Sequence, residues 1–179
     1  MTDTRKTLWS DEDGVIAIYE HHAYRTVIGN DTLFMTPGVH YFKTLKPDTK
    51  IITAYELLNK KVPFHVLTNI LTNPETLASE HISDKIEWTH EQMPFIDMNT
   101  QFSSIQIPKY KFAQSLLGRP LCKKDILVSD FNNDLIPWEN AGGCGVKYLN
   151  GLNSEESFSG YKIYPDWTPE DIEKFILTL

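Results

Sequence analysis

Near its N-terminus the chain reads Thr7-Leu8-Trp9-Ser10-Asp11-Glu12-Asp13-Gly14-Val15-Ile16-Ala17. A start typical of a β-strand is followed by three acids and then by a glycine. Adjacent carboxylates repel one another and make a poor strand interior, but hard divalent cations bind carboxylate oxygens. Gly14 allows a sharp turn, so that the side chains of Asp11 and Asp13 could converge on one point. The stretch therefore indicates either an acidic turn after a strand or a cation-binding site.

The composition limits the class of protein. The chain has 179 residues, of which 41% are hydrophobic and 23% charged, which is typical of one globular domain. We therefore expect a single domain over residues 1–179. No apolar run approaches the roughly 20 residues of a membrane span, and the first residues lack the apolar core of a signal peptide. Cys122 and Cys144 have no metal-type spacing, so we expect a reduced, cytoplasmic protein without a membrane partner.

The net charge of −7 disfavours long nucleic acids as partners, because their binding depends largely on Lys and Arg that neutralise phosphates. A small anionic substrate remains compatible with this charge, since a bound metal ion can reverse the local field. The sequence does not decide the oligomeric state, and it leaves a homodimer open.

Further along the chain, apolar strand-like runs alternate with helical patterns. Phe64–Leu67 predicts a buried strand with Thr68 and Asn69 at its carboxyl end, and Ile126–Ser129 predicts another, followed by Asp130. This alternation is typical of a three-layer α/β fold with a doubly wound parallel sheet and right-handed crossovers. In such sheets, ligands bind beyond the carboxyl ends of the strands.

Several further elements are predicted from local signals. Phe95–Met98 is predicted as a short strand, Pro137 as the start of a short helix, and Gly145–Leu149 as the last strand of the core. Thr168 and Pro169 occupy the N-cap and first positions of a C-terminal helix, as in a capping box.

Four ordered segments carry a family resemblance. They are Asp11-Glu12-Asp13-Gly14-Val15-Ile16-Ala17, Leu67-Thr68-Asn69, Lys109, and Ser129-Asp130-Phe131-Asn132-Asn133-Asp134. Together they resemble the motifs of the haloacid dehalogenase (HAD) superfamily of phosphohydrolases. Pro37-Gly38-Val39-His40-Tyr41-Phe42-Lys43-Thr44-Leu45-Lys46-Pro47 and Ala141-Gly142-Gly143-Cys144-Gly145-Val146 further resemble segments of the 5'(3')-deoxyribonucleotidases and their phage or bacterial relatives. The similarity covers roughly residues 7–150.

The resemblance implies a phosphomonoesterase that hydrolyses a small phosphorylated substrate, most readily a nucleoside monophosphate. Asp11 would be the nucleophile that forms an aspartyl-phosphate, and Asp13 would protonate the leaving oxygen and then activate water. Thr68, Asn69 and Lys109 would bind the phosphoryl group.

The resemblance also implies a Mg²⁺ cofactor. Its ligands would be Asp11, Asp13 through its backbone carbonyl, Asp130, and Asp134 directly or through water.

The sequence departs from the nucleotidase pattern in three places. Ser129 precedes Asp130 where those enzymes have two adjacent aspartates, and the second acid follows only at Asp134. The cap insertion is short, about residues 18–45. Lys111 is an alternative to Lys109 as the motif lysine, and Lys109 is preferred because an apolar-Ala pair follows it as in the relatives.

Two aromatic residues of the cap region, Phe34 and Tyr41, are candidates for contacting the substrate, by stacking on a base. Packing in a small core is the alternative for either ring, and Phe42 is expected to be core. Three functional hypotheses follow: a nucleotidase, a HAD phosphatase for another small or larger phosphoester, and a catalytically silent HAD-fold binding domain.

Overall fold

A parallel sheet organises the chain, and the acidic stretch begins where the central strand ends. The computed structural model describes residues 5–19, 26–29, 31–70, 75–151 and 158–179. The strands are β1 (Thr7–Ser10), β2 (Ala17–Ile18), β3 (Val27–Ile28), β4 (Asp31–Thr32), β5 (Lys46–Pro47), β6 (Phe64–Ile70), β7 (Gln101–Ile105), β8 (Asp125–Ser129), β9 (Cys144–Tyr148) and β10 (Tyr161–Ile163). The α-helices are α1 (Thr49–Asn59), α2 (Glu75–Gln92), α3 (Lys109–Leu117), α4 (Asn132–Asn140) and α5 (Pro169–Thr178).

Six strands pair in the order β10-β9-β8-β1-β6-β7, and all of these pairs are parallel. Leu8 of β1 lies opposite Phe64 on one side and opposite Ile126 on the other. The chain therefore builds outward from β1 through β6 and β7, and then returns to the other side of β1 with β8. This reversal is a topological switch point, where doubly wound sheets form their ligand crevice. The predicted fold class is confirmed.

Alternating residues of the central strands supply two separate apolar cores. Leu8, Val66 and Ile126 face one layer, in which α1, α2 and α5 pack on the sheet. Trp9 and Leu127 face the other layer, where they meet α3 and α4. Because side chains of a strand alternate between faces, a strand buried on both sides places apolar residues on both, as Leu8 and Trp9 do here, while the buried Ser10 hydroxyl donates to the Asp11 carbonyl. All four residues of β1 are buried accordingly.

Two helices begin at side-chain caps that the sequence carries. The Asp48 carboxylate accepts hydrogen bonds from the N–H groups of Lys50 and Ile51 and so starts α1. Thr168 and Asp171 exchange side-chain and backbone bonds in a capping box at the start of α5. The N-cap predicted at Thr168 for the C-terminal helix is thus confirmed.

Between β2 and α1 the described chain forms two short strands, β3 and β4, and the 3-10 turns Leu33–Met35 and Tyr41–Thr44. β2 pairs with β5 and closes this excursion at its base. The cap over residues 18–45 stays a proposal, and residues 20–25 and 30 of it lie outside the described part.

Three element predictions were wrong. The strand expected to be the last of the core corresponds to β9, and β10 follows it and pairs beside it in the same sheet. The strand expected at Phe95–Met98 is instead β7, at Gln101–Ile105. It is one of the two edge strands of the sheet, and most of its residues are only partly buried. Because three of its five residues are polar, its sequence lacks the apolar run that predicts a buried strand. The helix expected from Pro137 begins at Asn132 and contains Pro137. Asp134 therefore lies in its first turn, where a carboxylate is favourable.

Among the described residues, no helix combines the length and the apolar character that crossing a membrane requires.

Candidate active site

The acidic stretch folds into a tight loop at the carboxyl end of β1. The Asp11 N–H still bonds the Val128 carbonyl of β8 at 2.8 Å, which continues the strand pairing by one residue. The Glu12 carbonyl then accepts N–H groups from Val15, Ile16 and Ala17 at 3.2, 2.9 and 2.9 Å. Gly14 has a φ of 74°, in the left-handed region that favours glycine. The acidic turn and the cation-binding site, first posed as alternatives, are therefore compatible.

Lys109 reaches the same point from the first position of α3. Its ammonium lies 2.6 Å from an Asp11 oxygen and 2.8 Å from an Asp134 oxygen, and its side chain is 1% exposed. Burial opposes the charged form, but the Asp11 and Asp134 carboxylates outweigh it and raise the pKa of Lys109. Lys111 is exposed, so the structure brings Lys109 to Asp11 and leaves the alternative lysine outside.

Ser129 links the first and last predicted motifs. Its hydroxyl donates to Asp11 Oδ2 at 3.0 Å and accepts the Phe131 N–H at 3.1 Å. The residue that departs from the nucleotidase pattern therefore orients the carboxylate opposite Lys109, since the two partners hold the two Asp11 oxygens separately.

Asp130 is 8% exposed and faces the acidic loop. Burial raises its pKa to about 7, and the nearby Asp11 charge adds to this effect. The Asn150 amide opposes it by donating at 2.7 Å to Asp130 Oδ2, and the same amide also bonds the Gly14 carbonyl. Asn150, which was not predicted, thus ties Asp130 to the loop.

Asp134 lies on the Lys109 side of the pocket. Besides the Lys109 pair, it accepts a hydrogen bond from the Asn69 amide at 3.3 Å. Burial raises its pKa although Lys109 lowers it. Protein donors therefore hold both Asp134 oxygens, and through its pair with Lys109 it positions that ammonium beside Asp11.

We call Asp11, Asp13, Asp130 and Asp134 the carboxylate pocket, and its donors fit a Mg²⁺ ion. Among the described residues, no three of these carboxylates bring oxygens within 4.8 Å of one another. Mg²⁺ keeps several waters and usually needs only one or two carboxylates. The buried like charges of Asp11 and Asp130, one with a raised pKa, are the environment that such a cation relieves.

A second buried lysine, Lys85 of α2, enters the pocket from the opposite layer. Its ammonium lies 2.7 Å from Asp13 Oδ2 and donates to Thr68 Oγ1 at 3.0 Å. It also lies 3.5 Å from Glu12 Oε2. Burial opposes its charge, but Asp13 and Glu12 raise the pKa of Lys85. Thr68 therefore accepts from Lys85 and retains its own hydroxyl proton for donation.

Sequence reasoning missed Lys85, although a signal was present. The buried face of α2 consists of Leu77, Ala78, His81, Asp84, Lys85, Trp88 and Thr89. Four of these seven are polar or charged at positions that an amphipathic helix normally gives to apolar residues. Buried charges need partners, so charged residues at helix-core positions indicate a network around a site.

Glu12 belongs to this network, and its carboxyl group is almost fully buried. Burial raises its pKa to about 7, against the opposing effect of Lys85, while Asp13 and Asp11 raise it further. Its Oε1 accepts from Thr89, whose hydroxyl also accepts from Gln101. The Glu12 carboxyl group thus contacts side chains of α2, and it points away from the Asp11 and Lys109 pair.

The two aromatic candidates are packed. Tyr41 is 3% exposed, and its ring meets Tyr19 and Phe42 edge-on at centroid distances of 6.1 and 5.4 Å. Phe34 is partly buried against the same core. For Tyr41 the expectation of a base contact is therefore corrected to packing, because the ring is enclosed by aromatic neighbours. Phe42 is core, as expected.

A cleft of about 370 Å³ opens beside Lys109 and Asp134. Amides, a tyrosine and apolar side chains line it, and its residues are Asn69, Ile70, Ser104, Gln106, Ile107, Pro108, Lys109, Tyr110, Asn133, Asp134 and Pro137. This cleft therefore adjoins the carboxylate pocket at Lys109 and Asp134.

Gly14→Ala should disrupt the pocket. A Cβ atom at Gly14 would lie 2.3 Å from Asp130 Oδ2 and 2.9 Å from the Asn150 amide, so Asp130 must move. We expect a loss of the thermal stabilisation by Mg²⁺, with destabilisation beyond the roughly 1–2 kcal/mol of left-handed strain.

Gly118→Ala is the matched control, because it has a φ of 64° and open space around the added atom. Melting curves with EDTA and with Mg²⁺ compare the two variants. An unchanged Mg²⁺ response in Gly14→Ala would contradict the assigned contact.

No protein-family model and no curated protein sequence matches the chain. Solved structures do share its fold over nearly the whole length. D,D-heptose 1,7-bisphosphate phosphatase from B. bronchiseptica, solved with magnesium and phosphate, has a TM-score of 0.65 at 15% identity, covering 97% of this chain and 98% of that one. The corresponding phosphatase from Burkholderia thailandensis has a TM-score of 0.62 at 13% sequence identity, and the match covers 97% of each chain.

A HAD hydrolase of family IA, variant 3, from Entamoeba histolytica gives a TM-score of 0.65 at 14% identity, covering 96% of this chain and 99% of that one. The chain thus has the fold of the HAD-superfamily hydrolases.

Proposed function

We propose that the chain is a Mg²⁺-dependent phosphomonoesterase that works through an aspartyl-phosphate on Asp11. One observation carries this proposal: the Asp11 carboxylate lies at the carboxyl end of the central strand, held by Lys109 on one oxygen and by Ser129 on the other. A carboxylate so oriented, beside a buried cation, is suited to in-line attack on a phosphorus atom.

In the first step, an Asp11 oxygen forms a bond to phosphorus while the bond to the leaving oxygen breaks. Lys109 and the Thr68 hydroxyl stabilise the charge on the phosphoryl oxygens. When bound, Mg²⁺ would neutralise further charge there, with Asp11, Asp130 and the Asp13 carbonyl as its protein ligands.

Asp13 is proposed as the general acid and base. Lys85 holds its Oδ2, while its Oδ1 is buried without a hydrogen-bond partner among the described residues. The bond from Lys85 to Oδ2 fixes the orientation of the carboxyl group. Oδ1 has no such bond, and we propose that it gives a proton to the leaving oxygen. In the second step, the same oxygen takes a proton from the water that attacks the aspartyl-phosphate.

For the substrate we propose a (deoxy)nucleoside monophosphate, which makes the chain a 5'-nucleotidase. The support is the motif resemblance together with the cleft, where Tyr110 and the amides of Asn69, Gln106 and Asn133 could contact a nucleoside. The packed Tyr41 gives no support. The similar structures named as heptose bisphosphate phosphatases favour a sugar phosphate as the second candidate.

The test is a panel of phosphomonoesters assayed with Mg²⁺ and with EDTA. We expect Mg²⁺-dependent hydrolysis and the highest kcat/KM on nucleoside monophosphates. A preference for sugar phosphates would replace the substrate and keep the mechanism. No turnover of any ester by the folded, Mg²⁺-loaded protein would leave the silent binding domain as the function.

The metal-free protein should lose stability as the pH rises from 5 to 7. Burial raises the pKa values of Glu12 and Asp130 to about 7, from ordinary values of 4.5 and 3.8. An acid with a raised pKa in the folded state stabilises the protein while protonated. Its contribution, at most about 3–4 kcal/mol, is full below the unfolded pKa, falls as the pH approaches 7 and is absent above it.

Mg²⁺ should therefore raise the melting temperature more at pH 8 than at pH 5.5. Thermal denaturation of the wild type and of Asp130→Asn, each with EDTA and with Mg²⁺, measures both effects. Asp130→Asn should show no Mg²⁺ response and a weaker pH dependence. An equal Mg²⁺ response in the two proteins would contradict this site.

A further inference from the structure

Outside the carboxylate pocket, three ligand-type side chains meet on one face of α2. Glu80 and Asp84 lie four residues apart on this helix, so they project from the same side. His40 comes from the loop before the 3-10 turn Tyr41–Thr44. One ligand atom from each residue lies within 4.8 Å of the other two, and among the described residues this is the group with that property.

Asp84 is the inner member of this cluster, with a side chain that is 1% exposed. Its Oδ1 lies 2.9 Å from His40 Nδ1, while its Oδ2 is buried without a hydrogen-bond partner among the described residues. A buried carboxylate oxygen without a donor is costly, because it has lost its water and gained nothing in exchange. A cation bound at Oδ1, which faces His40, would compensate the charge of this buried carboxylate.

The outer members are held in place by backbone geometry. The Gly38 N–H donates to both Glu80 oxygens, at 3.1 and 2.9 Å, and so fixes that carboxylate. His40 has a φ of 52°, a conformation that a non-glycine residue adopts at a cost. Strain of this kind persists only where the surroundings hold the residue, and here it directs the imidazole towards Asp84.

We propose that His40, Glu80 and Asp84 form a second metal site, which binds a divalent transition-metal ion such as Zn²⁺. One imidazole nitrogen with two carboxylates is a donor set for zinc or manganese, whereas Ca²⁺ and Mg²⁺ take oxygen ligands. The 2.9 Å between His40 Nδ1 and Asp84 Oδ1 is a hydrogen-bond distance, and the two atoms need to separate by only about 0.5 Å to become neighbouring ligands of a tetrahedral ion at bond lengths of about 2.1 Å. The exposed side of His40 leaves room for water as a further ligand.

One cation already lies close to the cluster. The Lys43 ammonium is 3.6 Å from Asp84 Oδ1, but it pairs more closely with Glu87, at 2.7 Å. Glu87 can therefore keep Lys43 when the metal binds. When Lys43 pairs with Glu87 alone, the carboxylates of Glu80 and Asp84 and the imidazole of His40 are left to bind the ion.

A metal ion at this position would hold the cap region to helix α2, which carries Lys85. Asp84 directly precedes Lys85, and the Phe42 ring lies 4.2 Å from the Lys85 ammonium. An ion bound by His40 and Asp84 would join the turn that carries Phe42 to the helical turn that carries Lys85. This staple would act independently of the Mg²⁺ in the carboxylate pocket.

The test is a calorimetric titration of Zn²⁺ into the full chain in the presence of excess Mg²⁺, which occupies the carboxylate pocket. We expect one Zn²⁺ ion per chain and a rise in melting temperature that grows with Zn²⁺ concentration. His40→Ala and Glu80→Gln should each weaken this binding more than about tenfold, since loss of a group that only hydrogen-bonds to a metal ligand already costs about 10–100-fold. Both residues are at least partly exposed, so these variants should fold.

Glu91→Gln is the matched control, because Glu91 is an exposed acid on the same helix. It should bind Zn²⁺ as the wild type does. Absence of Zn²⁺ binding by the wild type, or binding that His40→Ala leaves unchanged, would overturn the proposal. The readout is binding, so it is independent of whether the chain hydrolyses a phosphoester.

Discussion

Asp11→Asn should lose at least about 10⁴-fold in kcat on every phosphomonoester while keeping its fold, by analogy with the loss of other enzymatic nucleophiles. The amide has the same shape but cannot form the acyl-phosphate bond. Lys109 retains its pair with Asp134 at 2.8 Å, and the repulsion that Asp11 exerts on Asp130 is removed. Steady-state hydrolysis and melting curves in EDTA at pH 8 measure the two effects, and the melting temperature should not fall.

Asp166→Asn is the control for this substitution, because Asp166 is exposed and far along the chain from the pocket motifs. It should have wild-type kinetics. Asp13→Asn should differ in kind from Asp11→Asn, since it should still turn over aryl phosphates, whose leaving groups need little protonation. If a folded Asp11→Asn protein hydrolysed substrate within tenfold of the wild type, the nucleophile would be another group.

Lys85→Met should lower both stability and turnover. Methionine has a similar length but no charge, so Glu12 and Asp13 lose the cation that lies between them. Breaking a buried ion pair costs about 3–5 kcal/mol, a large part of a typical total stability of about 5–15 kcal/mol. The cost should be greater at pH 8 than at pH 6, because protonation of Glu12 removes the uncompensated charge. Melting temperatures at the two pH values measure this.

A double variant separates the structural role of Lys85 from its role at Asp13. Glu12→Gln with Lys85→Met removes both charges and should recover much of the melting temperature. Turnover should stay about 10²-fold or more below wild type on alkyl phosphates, since general acid catalysis contributes typically 10²–10⁴-fold.

Lys60→Met is the control, because its pair with Glu56 is an exposed surface pair worth little. If the double variant regained full activity, Lys85 would serve only to neutralise Glu12.

The sequence predicted those parts of the fold that depend on short-range patterns. The central strands, the cap at Thr168 and the glycine turn follow from local chemistry, and the motifs were read off in their order along the chain. Lys109 was preferred to Lys111 on the residues that follow it, and the structure places Lys109, and not Lys111, against Asp11. The catalytic roles themselves stay predictions.

What sequence reasoning missed depends on residues that are distant in the chain. Lys85 looks like a surface residue of a helix until β6 and the acidic loop are placed beside it. The edge strand β7 has no apolar run because one side of it lacks a partner strand. Asn150 reaches Asp130 only through the return of the chain after β9, and Tyr41 is enclosed by rings that no local pattern assigns to it.

The position of β1 between β6 and β8 has a consequence for synthesis of the protein. This four-residue strand is made before both of its partner strands, and β8 follows it by more than a hundred residues. Pairing over such separations is slow, because the loop must close before the contacts form. A nascent chain therefore carries Asp11, the proposed nucleophile, long before the groups around it exist. If the chain binds phosphoesters as proposed, ribosome-bound intermediates should begin to do so only after residue 134 has emerged, which is after β8 and before β9 and β10.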